Sequence, residues 1–364
     1  MRMIRLTSGL VQRLTLDSYY TRIQTSLAHG ATGVESTDLV KMSSRIKSGK
    51  LRVVHCLGED HNDVAVLYCA VDPKEETLAT CCADGKINLW TIATGQNLRT
   101  LSGGHTDQIT SCAFSSIGNI LASSSLDKKV ILWHYKTGKR ASRLELHSAA
   151  VLQCTFSKDG KLLASASRDK TARLYKIRPG SGEFVPGGDI KQLVGHTAAV
   201  NCIQFSPDAA MALTGSDDMT ICVWRQDSDW SCVATLGKLP GPVKGVIFSP
   251  VDPVFASLAG NSATVWTMHG TSYNVENSAD IRSSKQLKAI SFIPDGRHIV
   301  GVASDATINI WDSVDDNVWN SWKDTSSNKH NGAILTCCFA GRNFISADET
   351  GCTFVWELIE SNAK

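Results

Sequence analysis

His105, Ser123 and Asp127 are the three residue types of a nucleophilic triad: a hydroxyl to attack, an imidazole to take its proton, a carboxylate to orient the ring. The same types recur at the same spacing as His147, Ser165 and Asp169, and again as His196, Thr214 and Asp218. His61, Thr80 and Asp84 make a fourth set with one extra residue after the histidine. In all four the hydroxyl residue lies four positions before the aspartate, and an aromatic follows six positions after it: Trp90, Trp133, Tyr175 and Trp224. An active site is needed once, so this repetition argues for structure. A chain of hydrogen bonds from aspartate through histidine and hydroxyl to the aromatic would tie the strands of one unit together and satisfy their buried polar groups. No residue is assigned a catalytic role, and no enzymatic activity is expected.

Other chemistry finds less support. Twelve cysteines are present, but none has the C-x-x-C spacing of a zinc ribbon or a thioredoxin-like site. Cys81-Cys82 and Cys337-Cys338 are neighbours on strand-like runs and point to opposite faces. The cysteines read as small, reduced core fillers of an intracellular protein. Gly85-Lys86 and Gly138-Lys139 lack the rest of a phosphate loop. The glycine-rich stretch 178–189 follows no dinucleotide pattern and reads as a long loop. Neither a metal nor a cofactor is expected.

The elements that would position these residues are strands. Runs ending in an aromatic recur at Trp90, Trp133, Tyr175, Trp224, Trp266, Trp311 and Trp356, in steps of 43, 42, 49, 42, 45 and 45 residues. That period, with alternating apolar residues and Asp-Gly turns at 159–160 and 295–296, is the signature of propeller blades with half-buried strands. The last unit lacks an outer strand, and Leu51 to Leu57 is expected to supply it and close the ring. With 37 Lys and Arg against 35 Asp and Glu, the charge balance argues against direct binding of nucleic acid. No apolar run approaches the roughly 20 residues of a membrane helix. Residues 1–50 form an extension expected to be flexible or partly helical, 51–360 the propeller and 361–364 a tail. Arg2, Arg5, Arg13 and Arg22 against Asp17 alone give the extension the look of a mitochondrial presequence. A plain tail, or a start at Met42, stays open beside it. The expected compartment is the cytoplasm, with nucleus and mitochondrion as alternatives.

These four-residue sets resemble the WD-repeat family, whose pattern places His before a unit, Ser or Thr on the second strand, Asp at the next turn and Trp on the third strand. The resemblance covers residues 51–360 and implies an all-β, seven-bladed propeller with four antiparallel strands per blade, closed by an N-terminal strand. Units five to seven depart from the pattern. The fifth has Gly260 where the Asp belongs, and the sixth keeps Asp305 and Trp311 without the His. The seventh keeps His330, Ser346 and Trp356 with its acidic turn displaced to Asp348 and Glu349.

In WD-repeat relatives partners often dock on one loop face. Carried over, that face holds Leu67, Thr110, Leu126, Leu152, Arg168, Asn201, Asp217, Lys244 and Lys288. The resemblance implies a non-catalytic scaffold, monomeric within a larger complex, that binds proteins or peptides there and takes no membrane as partner. The alternative it raises is a substrate receptor of a cullin-type ubiquitin ligase. The Trp-Asp-x-Arg of such receptors has its nearest match in Tyr175-Lys176-Ile177-Arg178.

Overall fold

The computed structural model describes residues 50–57, 64–185, 191–237, 239–251, 253–269, 274–282, 286–312, 318–322 and 330–359. The extension before residue 50, His61 and the tail lie outside the described residues. Seven four-stranded antiparallel sheets follow one another as blades. Blade 1 runs from its innermost strand Val66–Val71 through Thr77–Cys82 and Ile87–Thr91 to the outer strand Asn97–Leu101. Blades 2 to 6 repeat this order from innermost strands Ile109–Phe114, Val151–Phe156, Val200–Phe205, Val243–Phe248 and Leu287–Phe292.

Blade 7 is built from both ends of the described chain. Ile334–Ala340, Asn343–Asp348 and Thr353–Ile359 are its inner three strands, and Lys50–Leu57 pairs antiparallel with the last of them, Leu57 opposite Thr353. The strand expected from Leu51 thus closes the ring and covers an edge that would otherwise stand open.

The core is divided into layers between blades. Ala79, Ile87 and Leu89 of blade 1 pack with Ile109, Leu121 and Trp133 of blade 2. Ile120, Leu132 and Leu144 of blade 2 pack with Val151, Leu163 and Tyr175 of blade 3. At the seam Leu78 and Trp90 meet Ile345 and Val355 of blade 7. This sandwiching corrects the expectation of half-buried strands throughout. Second strands such as Thr77–Cys82, Ile120–Ser125 and Met211–Ser216 are buried at every position, because a neighbouring blade covers each face. Outer strands remain largely exposed, as in Asn97–Leu101.

The glycine-rich loop between the third strand of blade 3, Thr171–Lys176, and its outer strand, Lys191–Val194, folds back onto blade 2. Gly118 and Gly180 form an isolated bridge, and Phe184 packs edge-on against Tyr175. Gly182, at φ +66°, lies so close to Ile120 that a Cβ there would stand 2.8 Å from its side chain. Glycine is required here both for the backbone conformation and for the approach.

Candidate functional site

In blades 2, 3 and 4 the recurring residues meet in one chain of hydrogen bonds. Trp133 Nε1 donates to Ser123 Oγ at 2.9 Å, Ser123 Oγ lies 2.8 Å from His105 Nε2, and His105 Nδ1 lies 3.0 Å from Asp127 Oδ2. An indole N–H can only donate and a carboxylate can only accept. His105 Nδ1 therefore donates to Asp127, and the Ser123 hydroxyl joins Nε2 to the indole. Blade 4 repeats this through Trp224, Thr214, His196 and Asp218 at 2.8, 2.8 and 3.0 Å. In blade 3 the Tyr175 hydroxyl stands 3.0 Å from Ser165, which lies 2.7 Å from His147, itself 2.7 Å from Asp169.

Each aspartate also holds its turn and the loop before the blade. Asp127 accepts from the Thr106 and Lys129 amides, and Asp218 from those of Thr197 and Thr220. Burial pushes the Asp127 carboxyl up, but the His105 hydrogen bond and these amides outweigh it and hold the group at about 2. Asp218 is likewise held at about 2, against burial, by Thr220, Thr197 and His196. Burial pushes the His147 imidazole below its ordinary value although Asp169 pulls the other way. The geometry is that of a triad, but Ser123, Ser165 and Thr214 are at 0% exposure, roofed by the aromatic side chain. No carbonyl substrate can reach them.

The remaining blades differ one by one. In blade 1 Trp90 Nε1 donates to Thr80 Oγ1 at 2.9 Å, while Asp84 is partly exposed and takes the Lys86 ammonium at 2.6 Å. Blade 7, expected to be degraded, has a complete network. His330 lies 2.7 Å from both Ser346 Oγ and Asp348 Oδ2, and Trp356 donates to Ser346 at 2.8 Å. Asp348 stands two residues after the serine instead of four, at the strand end, and accepts from the amides of Thr350 and Cys352.

Blade 5 keeps the indole bond, Trp266 to Ser257 at 2.8 Å. Gly260 does not replace an aspartate there. The turn is one residue shorter, and at φ +61° Gly260 fills the left-handed position held elsewhere by Lys128, Lys170 and Met219. In blade 6 Gly301 occupies the hydroxyl position, and the buried Trp311 Nε1 has no hydrogen-bond partner among the described residues.

The residues mapped to the loop face share a backbone device. The innermost strand of every blade carries a register shift at its second residue: Leu67, Thr110, Leu152, Asn201, Lys244, Lys288 and, in blade 7, Leu335. A bulge re-aims the extra side chain out of the strand alternation. Leu335 was absent from the sequence mapping, which stopped at blade 6. The signal was its place directly after Ile334, where the other blades have Val66, Ile109 or Val151.

The turn residues are tied to the same end by backbone. The Leu126 amide donates to Gln108, Arg168 to Ala150 and Asp217 to Ala199, with equivalents at Ala83, Ser304 and Glu349. Leu67, Leu126, Leu152 and Leu335 are half-buried on blades 1, 2, 3 and 7, Lys288 is half-buried on blade 6, and Arg168 is exposed.

The polar members are brought into direct contact. Asp217 accepts from Lys244 at 2.7 Å and from Asn201 at 2.8 Å. Lys244 and Asn201 therefore hold its carboxyl below the ordinary range, against the upward push of burial. Asn201 also bonds the Val243 carbonyl, and Thr110 the Val151 carbonyl, so both are engaged as ties between blades.

Elsewhere, a cleft of about 620 Å³ opens at the opposite end of blades 1 and 2, lined by Glu75, Leu89, Leu98, Arg99 and Tyr135, and contains none of these residues. Trp230 packs edge-on against Phe205. Among the described residues no cluster of His, Cys, Asp and Glu is placed to hold a metal ion, and no helix is long and apolar enough to cross a membrane.

Comparison with known proteins agrees with this geometry. The family model "WD domain, G-beta repeat" matches residues 52–91, 95–134, 138–176, 187–225 and 279–312. Each match joins the outer strand of one blade to the inner three of the next. Protein HIR1 of Kluyveromyces lactis is 25% identical over 267 residues, covering 66% of this chain and 27% of HIR1. Pre-mRNA-processing factor 19 homolog 2 of Arabidopsis thaliana is 29% identical over 180 residues, 48% of this chain and 33% of that protein. The guanine nucleotide-binding protein subunit beta-like protein of Encephalitozoon cuniculi is 23% identical over 342 residues, 87% of this chain and all of the relative. The chain thus spans about a quarter of HIR1 and a third of the processing factor. The reading as a cullin-ligase receptor finds no support in these relatives, and Arg178, which carried it, pairs with Glu183 in the loop between the third and outer strands of blade 3. With repeats matched over more than half its length, the chain belongs to the WD domain, G-beta repeat family.

Proposed function

We propose that this propeller is a non-catalytic scaffold that holds partner proteins on the face bearing Leu67, Leu126, Leu152 and Arg168. The observation that carries the reading is the bulge at the head of each innermost strand. It sets one side chain per blade at that end, and backbone bonds fix the neighbouring turn. Rigid loops lose little entropy on binding. The face has two halves. Blades 7, 1, 2 and 3 offer Leu335, Leu67, Leu126 and Leu152, whereas blades 4 to 6 offer Lys244, paired with Asp217, and half-buried Lys288, with exposed Arg168 at the border. Such a surface suits a segment with apolar side chains followed by an acidic one. A relative matched over its full length is named as subunit-like, which fits a component of an assembly.

The test is affinity capture of the tagged protein from its native cells, comparing wild type with Leu126→Asp/Arg168→Glu and with a Leu98→Asp control at the opposite end. Stoichiometric partners lost only in the face variant support the reading. Partners retained by a folded face variant, or none with any version, overturn it.

A further inference from the structure

Two of the three cysteines of blade 4 stand beside its hydrogen-bond network, Cys222 with its Sγ 3.9 Å from His196 Nδ1. Cys222 lies on the third strand Ile221–Arg225 and Cys232 on the outer strand Ser231–Leu236. In the antiparallel register Cys222 is opposite Thr235 and Trp224 opposite Cys232, with Val233 as the extra residue of a bulge between them. Residues two apart on a strand share a face, so the two thiols sit diagonally on one side of the sheet. The Thr235 hydroxyl touches both, 3.8 Å from Cys222 and 3.6 Å from Cys232, and the Cys232 thiol also donates to the Ala234 carbonyl at 3.3 Å. Cys222 is buried at 1% exposure, whereas Cys232 is open to solvent.

We infer that Cys222 and Cys232 form a peroxide-responsive dithiol site, with exposed Cys232 as the attacking sulfur and buried Cys222 as the resolving one. The roles follow from access and from ionisation, since the thiolate is the nucleophile. The neighbouring Cys222 thiol holds the Cys232 thiol down to about 6, against the upward push of its partial burial, with Thr235 adding to the effect. The neighbouring Cys232 and burial push Cys222 up, keeping its proton in place until a partner sulfur is oxidised.

A second close pair gives the contrast. Cys69 and Cys338 lie 3.3 Å apart across the ring seam, but Cys69 is buried, and its hydrogen bond together with burial raises the Cys338 thiol well above the ordinary range. Neither thiol of that pair is exposed.

The chemistry balances with hydrogen peroxide as oxidant. The Cys232 thiolate attacks one peroxide oxygen, forming S–O and breaking O–O, and the departing hydroxide takes a proton to leave as water. Cys222 then attacks the sulfenic sulfur, forming S–S and breaking S–O. The second hydroxide leaves with the Cys222 proton as water. Two thiols lose two electrons and two protons in all.

The test uses the reduced full chain. Iodoacetamide at pH 6 is expected to label Cys232 about ten times faster than a free cysteine, the gain in thiolate exceeding the loss in intrinsic nucleophilicity. Equimolar hydrogen peroxide should lower the intact mass by 2 Da and join the Cys222 and Cys232 peptides. In Cys222→Ser the cross-link should give way to a dimedone-trapped sulfenic acid on Cys232, and in Cys232→Ser neither product should form. Labelling of Cys232 no faster than the free thiol, an unchanged mass, or a cross-link confined to other cysteines would each overturn the assignment.

Discussion

Blades 7 and 6 are neighbours in the ring and in sequence, and they hold their third-strand tryptophans in opposite ways. In blade 7 the indole N–H of Trp356 enters a chain through Ser346 and His330 to Asp348, every member buried. In blade 6 Trp311 is as buried, but Gly301 faces it where the serine would be. A Cβ on Gly301 would come within 2.4 Å of the Trp311 ring. The ring has moved into the space of the missing hydroxyl, so shape complementarity stands in for hydrogen bonding. A blade therefore does not require the network. Apolar layers on both faces hold the sheet, and the network adds register and stiffness where it occurs.

The largest test of that contrast compares Asp348→Ala with Asp305→Ala. Asp348 is at 0% exposure and accepts from His330, from the Thr350 hydroxyl and from two amides. Its loss leaves buried donors unpaired, at a cost of about 3–4 kcal/mol. Asp305 is half-buried and, among the described residues, accepts from the Thr307 hydroxyl and amide. Its loss should cost about 1 kcal/mol. Urea unfolding followed by tryptophan fluorescence reads both, and equal shifts in midpoint would show that the two turns are held by the same means.

Acid should remove the networks' contribution. Asp127 is held at about 2 in the folded protein against roughly 3.9 in an unfolded chain, which corresponds to about 2 kcal/mol of stability. Because the folded value is the lower one, that stability is complete above about pH 5 and is lost as pH falls towards 2. Asp218 behaves alike. His147 adds an earlier loss: its folded value lies below the ordinary 6.5, so the unfolded chain takes up the proton first and stability declines from about that pH downward. Asp127→Asn should start below wild type at pH 7 and converge with it by pH 3 to 2. Parallel curves for the two proteins would place the acid sensitivity elsewhere.

Much of this was legible in the sequence where the signal was a spacing. The aromatic period gave the blade count, and the four-and-six spacing located the networks of blades 2, 3 and 4. What escaped depends on side-chain reach. Asp348 does the work of Asp127 from a position two residues earlier, which only the geometry of the strand end makes possible. Gly260 looked like a substitution and is part of a contracted turn. Thr110 and Asn201 looked available to a partner. Their acceptors are the carbonyls of Val151 and Val243 in the next blade, a relation that no pattern within one repeat encodes. Cys222 and Cys232 carry no recognised spacing, because an antiparallel register and a bulge bring them together.

The smallest expected effect is also the most selective. Trp133→Phe and Trp311→Phe remove the same atoms from equally buried rings, so their packing losses nearly cancel in comparison. What differs is the fate of the indole N–H. In blade 2 it donates to Ser123 at 2.9 Å, and phenylalanine strips that bond from a hydroxyl which also serves His105. In blade 6 the N–H is buried without a partner among the described residues, and phenylalanine removes a polar group that was costly to desolvate. Trp133→Phe should therefore destabilise the protein by about 1–2 kcal/mol more than Trp311→Phe, read as the difference in urea midpoint at pH 7. Equal losses would mean that the hydrogen bond to Ser123 contributes nothing net, and that packing alone fixes the tryptophan in networked and bare blades alike.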